Sequence, residues 1–304
     1  MKTRYGAVAL LIVGVLVLSL VLTAVLGVHR DADDERLTLV AAFYPMYTAT
    51  LRVVGETEGV SVRCLTPPTG GCVHDHQLSP AERALLGEAD VLILNGAGAE
   101  PFLDPLLSQV TAQIVTTTEE REQHHEHDHE GHDHGNDHCW LDPVVYARQV
   151  AVICEALCKA DPANEMAYRA NAAAYTAEIE ALGNELKSVA ADLPMDKAVL
   201  FHGSMAFLAE AMGLEVIGTL PLGEDRGIRP DEAAAVADAV RGQNVLFLYD
   251  AQYPIQMVEL ANGAKHSAVL VLGSAVSAVE GVPDADVWVY TMKETIEKLK
   301  EVAA

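Results

Sequence analysis

The chain has 304 residues, half of them hydrophobic, and a formal net charge of −24. That length and apolar content suit one large domain or two ordinary ones with sizeable cores. The acidic balance and the lack of a Lys/Arg cluster speak against nucleic acid or acidic substrates as partners, and leave a field that attracts cations.

Lys2 and Arg4 precede an apolar run from Gly6 to Val28. It reaches the roughly 20 residues that a bilayer-spanning helix needs. The flank that follows, HRDADDER, is acidic on balance, so the positive-inside rule puts the N-terminus in the cytoplasm and the rest outside. No lipid-anchor cysteine precedes Cys64. Residues 1–36 are therefore expected to be a membrane anchor, the alternative being a cleaved export signal. The body is extracytoplasmic in either case. Of the five cysteines, Cys64 and Cys72 flank TPPTGG and are placed to close a small loop in an oxidising compartment. Cys154 and Cys158 share a helical face, where two buried thiols are expected.

From Leu37 the pattern alternates between strand and helix. LTLVAAF reads as a buried strand, YPMYTATLRVVG as a helix ending at Gly55, and VSVRCL as a second strand. SPAERALLGEAD opens with Ser79 as N-cap and Pro80 at the first helical position. VLILNG is a third strand, AEPFLDPLLSQV a short helix and QIVTT a fourth strand. Glu119–Asp137 has no apolar periodicity and reads as a loop. Helix resumes behind Asp142 and Pro143, and a second helix runs from Asp161 to about Pro194. At 1.5 Å per residue its roughly thirty residues would make a strut of about 45 Å.

The alternation then restarts with KAVLF, SMAFLAEAMG, LEVIGTL, RPDEAAAVADAVRG, NVLFLYD, YPIQMVELANG, AVLVLG and a closing helix from Asp286. The expected fold is α/β. Two lobes, each a mostly parallel sheet flanked by helices, are joined by one long helix. The expected boundaries are 37–160 for the first lobe, 161–194 for the linking helix and 195–304 for the second lobe.

Seven of the twelve histidines fall between His124 and His138. Outside that run, CVHDHQLSP sets His74 and His76 between a strand and a helix cap. NDHCWLDP sets His138 just before a capping aspartate, and AVLFHGSM sets His202 at a strand end. Ligands of open α/β sheets bind at the carboxyl ends of strands. The three segments can converge there, and neutral imidazoles on separate loops suit a borderline-soft cation such as zinc.

Taken together, HDHQLSPAERALLGEADVLILNGAGAEPFL, HCWLDP and VLFHGSMAFLAEAMGLEVIGTLPL resemble the metal-binding receptors of zinc and manganese ABC importers, the cluster A-I solute-binding proteins. The likeness runs from about Leu37 to the last helix. It includes a histidine-rich loop before the second ligand, a feature of the zinc branch. The resemblance implies that His74, His138 and His202 are the imidazole ligands. His76 stands where a tyrosine is usual and is a spare imidazole near the site. A fourth ligand would be Asp286, aligned with an acidic residue of the manganese branch. Its other role is to cap the closing helix. Asp250, where the family often has a strand-end Glu, is the second candidate. Cys139 adjoins His138 but is not expected to share its ion. The loop residues His124, His125, His127, His129, His132 and His134 would collect metal as mobile auxiliary ligands.

The implied function is binding, not catalysis: capture of Zn2+ outside the cytoplasm and delivery to an ABC permease, by a monomer. Mn2+ or another divalent ion is the alternative cargo. A zinc hydrolase would need a general base near the ligands, and HExxH does not occur in a helical context. A membrane-tethered metal buffer, with all binding in the loop, is the remaining reading.

Overall fold

A parallel sheet covered on both faces has no solvent side, so its strands lose the in–out alternation and become continuous apolar runs. That is how VLILNG and NVLFLYD behave. A computed structural model describes residues 37–66, 76–119, 138–220, 228–253 and 263–303. In it Val91–Leu94 and Val245–Tyr249 are buried residue after residue.

The first lobe holds β1 (Leu37–Ala41), β2 (Val60–Cys64), β3 (Val91–Gly96) and β4 (Gln113–Thr118), in the order β2-β1-β3-β4. The second holds β5 (Lys197–Leu200), β6 (Glu215–Thr219), β7 (Asn244–Asp250) and β8 (His266–Leu272), in the order β6-β5-β7-β8. The two sheets thus share one topology. Parallel registers pair Ala41 with Ile93 in the first, and Ala198 with Leu246 in the second. In each, the order reverses between two central strands, β1/β3 and β5/β7. At such a switch point the connections leave in opposite directions and open a crevice beyond the strand ends.

Two helices start where Ser79 and Asp142 predict. Helix α1 (Tyr44–Val54) ends at Gly55, whose φ of +58° suits a residue without a Cβ. An alanine Cβ there would lie 2.6 Å from Asn171 Nδ2. That amide donates to the carbonyls of Val53 and Val54, so another helix caps this one. Helix α2 (Pro80–Glu88) has the full capping box: Glu82 N donates to Ser79 Oγ, and Ser79 N to Glu82 Oε2 at 2.5 Å. The stretch AEPFLDPLLSQV is helical only over α3 (Asp104–Leu107), because Pro101 and Pro105 leave little uninterrupted chain.

Asp142 caps α4 (Pro143–Ala160) by accepting from Val144 N. The linking helix α5 (Glu165–Ala191) is preceded by a 3₁₀ turn at Pro162–Asn164 and runs for 27 residues, about 40 Å. The C-terminal lobe adds α6 (Ala206–Ala211), α7 (Pro230–Ala239) and α8 (Val287–Ala303). Most of the helix expected from Tyr253 to Gly263 lies outside the described residues, as do His74, Cys72, the loop histidines and the apolar run Gly6–Val28. Among the described residues no helix is long and apolar enough to cross a membrane.

The lobes are bonded directly as well as through α5. Trp140 and Trp288 have no exposed surface. Trp288 Nε1 donates to the Trp140 carbonyl at 2.9 Å, and Trp140 Nε1 to the Ser274 carbonyl at 2.8 Å. Tyr146 stacks on Trp288 with ring centroids 4.5 Å apart. On the same side Arg52 of α1 binds Asp286 and Glu178 and lies over the Tyr175 ring, while Tyr44 Oη donates to Asp284. The start of α8 is thereby tied to α1 and α5.

Candidate metal centre

His202 follows β5 at the switch point of the second sheet. Phe201 before it is buried and stacks on Tyr249, which holds the strand end down. The chain then enters a 3₁₀ turn, Gly203–Met205, for which His202 is the N-cap: its Nδ1 accepts from Ser204 N at 3.1 Å. A backbone N–H can only donate, so Nδ1 carries no proton. In the neutral ring the proton is then on Nε2, which lies 3.2 Å from Tyr253 Oη and donates to it. The Tyr253 ring lies alongside, 4.5 Å between centroids.

His138 comes from the other lobe. It precedes the 3₁₀ turn Cys139–Leu141, which the Asp142 cap and α4 hold in place. Only 6% of its surface is exposed, and its ring packs 4.8 Å from that of Trp140. The His138 and His202 rings meet edge-on with centroids 5.8 Å apart. Two imidazoles on one tetrahedral zinc, with Zn–N about 2.1 Å, would have centroids about 5 Å apart. The pair is therefore within roughly an ångström of a shared-ion geometry.

The other expected ligands among the described residues are engaged elsewhere. His76 Nε2 lies 3.3 Å from Glu82 Oε1, outside good hydrogen-bond alignment, and its ring meets Phe102 edge-on. Burial alone would raise the Glu82 carboxyl. The bonds from Ser79, with His76 nearby, outweigh it and hold the group below the ordinary carboxylate value. Asp286 is 2.7 Å from Arg52. Asp250, at the end of β7 and 1% exposed, accepts from Ser204, Ser274 and Gln252. The Cys139 thiol turns into a buried polar knot, 3.4 Å from Asn95 Oδ1. There Gln149 Nε2 also donates to Asn95 and Thr118, and Glu100 accepts from the amides of Asn95 and Gly96. Among the described residues, no three His, Cys, Asp or Glu side chains form a metal-holding group. Of the expected ligands described, His138 and His202 are the two the fold brings together.

Sequence reading gave no role to Tyr253, Ser204 or Ser274. Tyr253 sits three residues past the end of β7 and Ser204 four past the end of β5, each beside a candidate ligand, and that position was the available signal.

Two same-topology α/β lobes on one long helix, with an imidazole from each lobe meeting at the strand ends, define a bilobal binding protein of the metal-receptor type. The family described as "Zinc-uptake complex component A periplasmic" matches residues 39–302, and the chain belongs to it. It is a binding component, not an enzyme. Over 241 residues it is 32% identical to the high-affinity zinc uptake system protein ZnuA of Paracoccus denitrificans, covering 68% of this chain and 73% of that one. It is 24% identical over 266 residues to the iron-binding protein YfeA of Yersinia pestis, with 84% of each covered. Among solved structures, the laminin-binding protein Lmb of Streptococcus agalactiae superposes with a TM-score of 0.70. That match has 19% identity and covers 88% of this chain and all of that one.

Proposed function

We propose that the protein captures Zn2+ outside the cytoplasm and delivers it to the permease of an ABC importer. It would act as a monomer kept near the membrane by its N-terminal segment. The observation that carries this reading is the meeting of His138 and His202 from opposite lobes, with centroids 5.8 Å apart. Imidazole pairs suit zinc, whereas manganese calls for a shell richer in oxygen. In this reading His74 is the third ligand, and a carboxylate or water completes the tetrahedron. Asp286 would have to leave Arg52 to serve, and Asp250 would have to leave its hydrogen-bond donors. Those costs favour water. The zinc-named Paracoccus relative supports the same cargo. The iron-named Yersinia relative keeps another divalent ion, manganese included, as the second reading. The histidines from His124 to His134 would collect metal and pass it on. Because Trp140, Trp288, Arg52 and Tyr44 bond the lobes together, release would come from movement of ligand-bearing loops.

The test is a zinc titration of the full chain, of a variant lacking residues 119–137, and of His138→Ala and His202→Ala. The loop deletion keeps one tight site that prefers zinc to manganese. Each histidine variant loses more than the 10–100-fold typical of residues behind a metal shell. Loss of the tight site with the loop would refute the receptor reading, and preference for manganese would refute the cargo.

A further inference from the structure

A buried carboxylate must have its lone pairs satisfied, and an ionised one offers about four acceptor sites. Asp250 has all four filled. Oδ1 accepts from Gln252 N at 3.0 Å and Ser274 Oγ at 3.1 Å. Oδ2 accepts from Ser204 Oγ at 2.9 Å and Gln252 Nε2 at 3.1 Å. With the residue 1% exposed, no lone pair is left to point at an ion.

Its donors, however, lead to both histidines. Ser204, held through its hydroxyl, sits in the 3₁₀ turn that opens at His202, so its position sets that of the backbone carrying the ring. Ser274, held the same way, offers its carbonyl to Trp140 Nε1, and the Trp140 ring packs on His138. Just past Ser274, Ala275 has a φ of +57°, a left-handed conformation that a non-glycine residue adopts at a cost. The bonds from Ser274 to Asp250 and Trp140 hold that turn.

We infer that Asp250 is a positioning residue of the metal centre and not a ligand. It fixes His202 through Ser204 and His138 through Ser274 and Trp140, and so sets the distance between imidazoles of two lobes. The inference rests on the zinc-receptor reading above and adds to it the group that builds the site.

The experiment uses the full chain with zinc as probe. Affinity is measured by competition with a chromophoric chelator, and the ligand shell by X-ray absorption. Asp250→Asn is expected to weaken zinc by about 10–100-fold, the usual effect of removing a group behind the metal shell. The number of imidazoles and oxygens on the ion stays unchanged. Ser204→Ala weakens it less, and the double variant binds no worse than Asp250→Asn, because part of the effect runs through Ser204. Val245→Ala, a pure packing loss in the same strand, lowers stability but leaves affinity intact.

Binding by folded Asp250→Asn within twofold of the parent would overturn the inference. So would loss of a carboxylate oxygen from the zinc shell in that variant, or an equal loss of affinity in Val245→Ala. If Asp250→Asn does not fold, Ser204→Ala decides alone: parental affinity there overturns the inference. Parental binding by His138→Ala and His202→Ala is a different failure, that of the zinc-receptor reading itself.

Discussion

Both nitrogens of His202 are in use, Nδ1 accepting from Ser204 N at 3.1 Å and Nε2 donating to Tyr253 Oη at 3.2 Å. An ion that takes Nε2 displaces Tyr253. It also requires the ring's remaining proton on Nδ1, which then faces a backbone N–H that can only donate. Capture therefore gives up two hydrogen bonds. At a net 0.5–1.5 kcal/mol each, this lowers affinity by about 1–3 kcal/mol. Tyr253→Phe removes one of the two while keeping the ring that packs on His202. Zinc affinity is then expected to rise by about two- to twelvefold, the equivalent of one such bond. Chelator competition at fixed pH reads the affinity, and stopped-flow mixing shows whether the gain is in the on-rate, as it must be if Tyr253 obstructs entry. A fall in affinity would refute the reasoning and make the tyrosine oxygen a contributor to the bound state.

Arg52→Ala removes the guanidinium that joins α1 to Asp286 and to Glu178 of α5 and covers Tyr175. With Arg52 about a quarter exposed, charged hydrogen bonds of this kind are worth some 1–3 kcal/mol after screening. Urea unfolding should show that loss, while zinc affinity in the folded variant changes by less than threefold, a bound taken from surface-mutation noise of about 0.5 kcal/mol. Burial, with Cys158 alongside, pushes the Cys154 thiol up to about 11. It stays protonated in the native state where an unfolded cysteine ionises, near pH 8.5. Stability should therefore fall as pH rises from about 8.5 toward 11, because the unfolded chain loses the proton first. At pH 8, native Cys154 should resist iodoacetamide and become reactive in urea, as mass spectrometry of the labelled protein would show.

The lobes, the caps and the linking helix were legible because each is a local property. Buried parallel strands must be apolar throughout, as VLILNG and NVLFLYD are. A helix start needs an oxygen on its cap, as at Ser79 and Asp142. The identity of two meeting histidines was legible too, since strand ends and HCWLDP mark where His202 and His138 stand. The linking helix, expected over 161–194, is α-helical over Glu165–Ala191, because a 3₁₀ turn at Pro162–Asn164 comes before it.

What the sequence by itself determined was which residues carry imidazoles to the ends of two sheets, and that those sheets form. Only the tertiary structure decided how the carboxylates and hydroxyls around them are used. Asp286 and Asp250 look alike as candidate ligands in sequence. One is bound by an arginine 234 residues away, and the other is held by serines 46 and 24 residues away together with its near neighbour Gln252. Tyr253 likewise reaches His202 across 51 residues. A carboxylate's role depends on what fills its lone pairs, and when the donors come from distant strands and helices no local pattern records the choice.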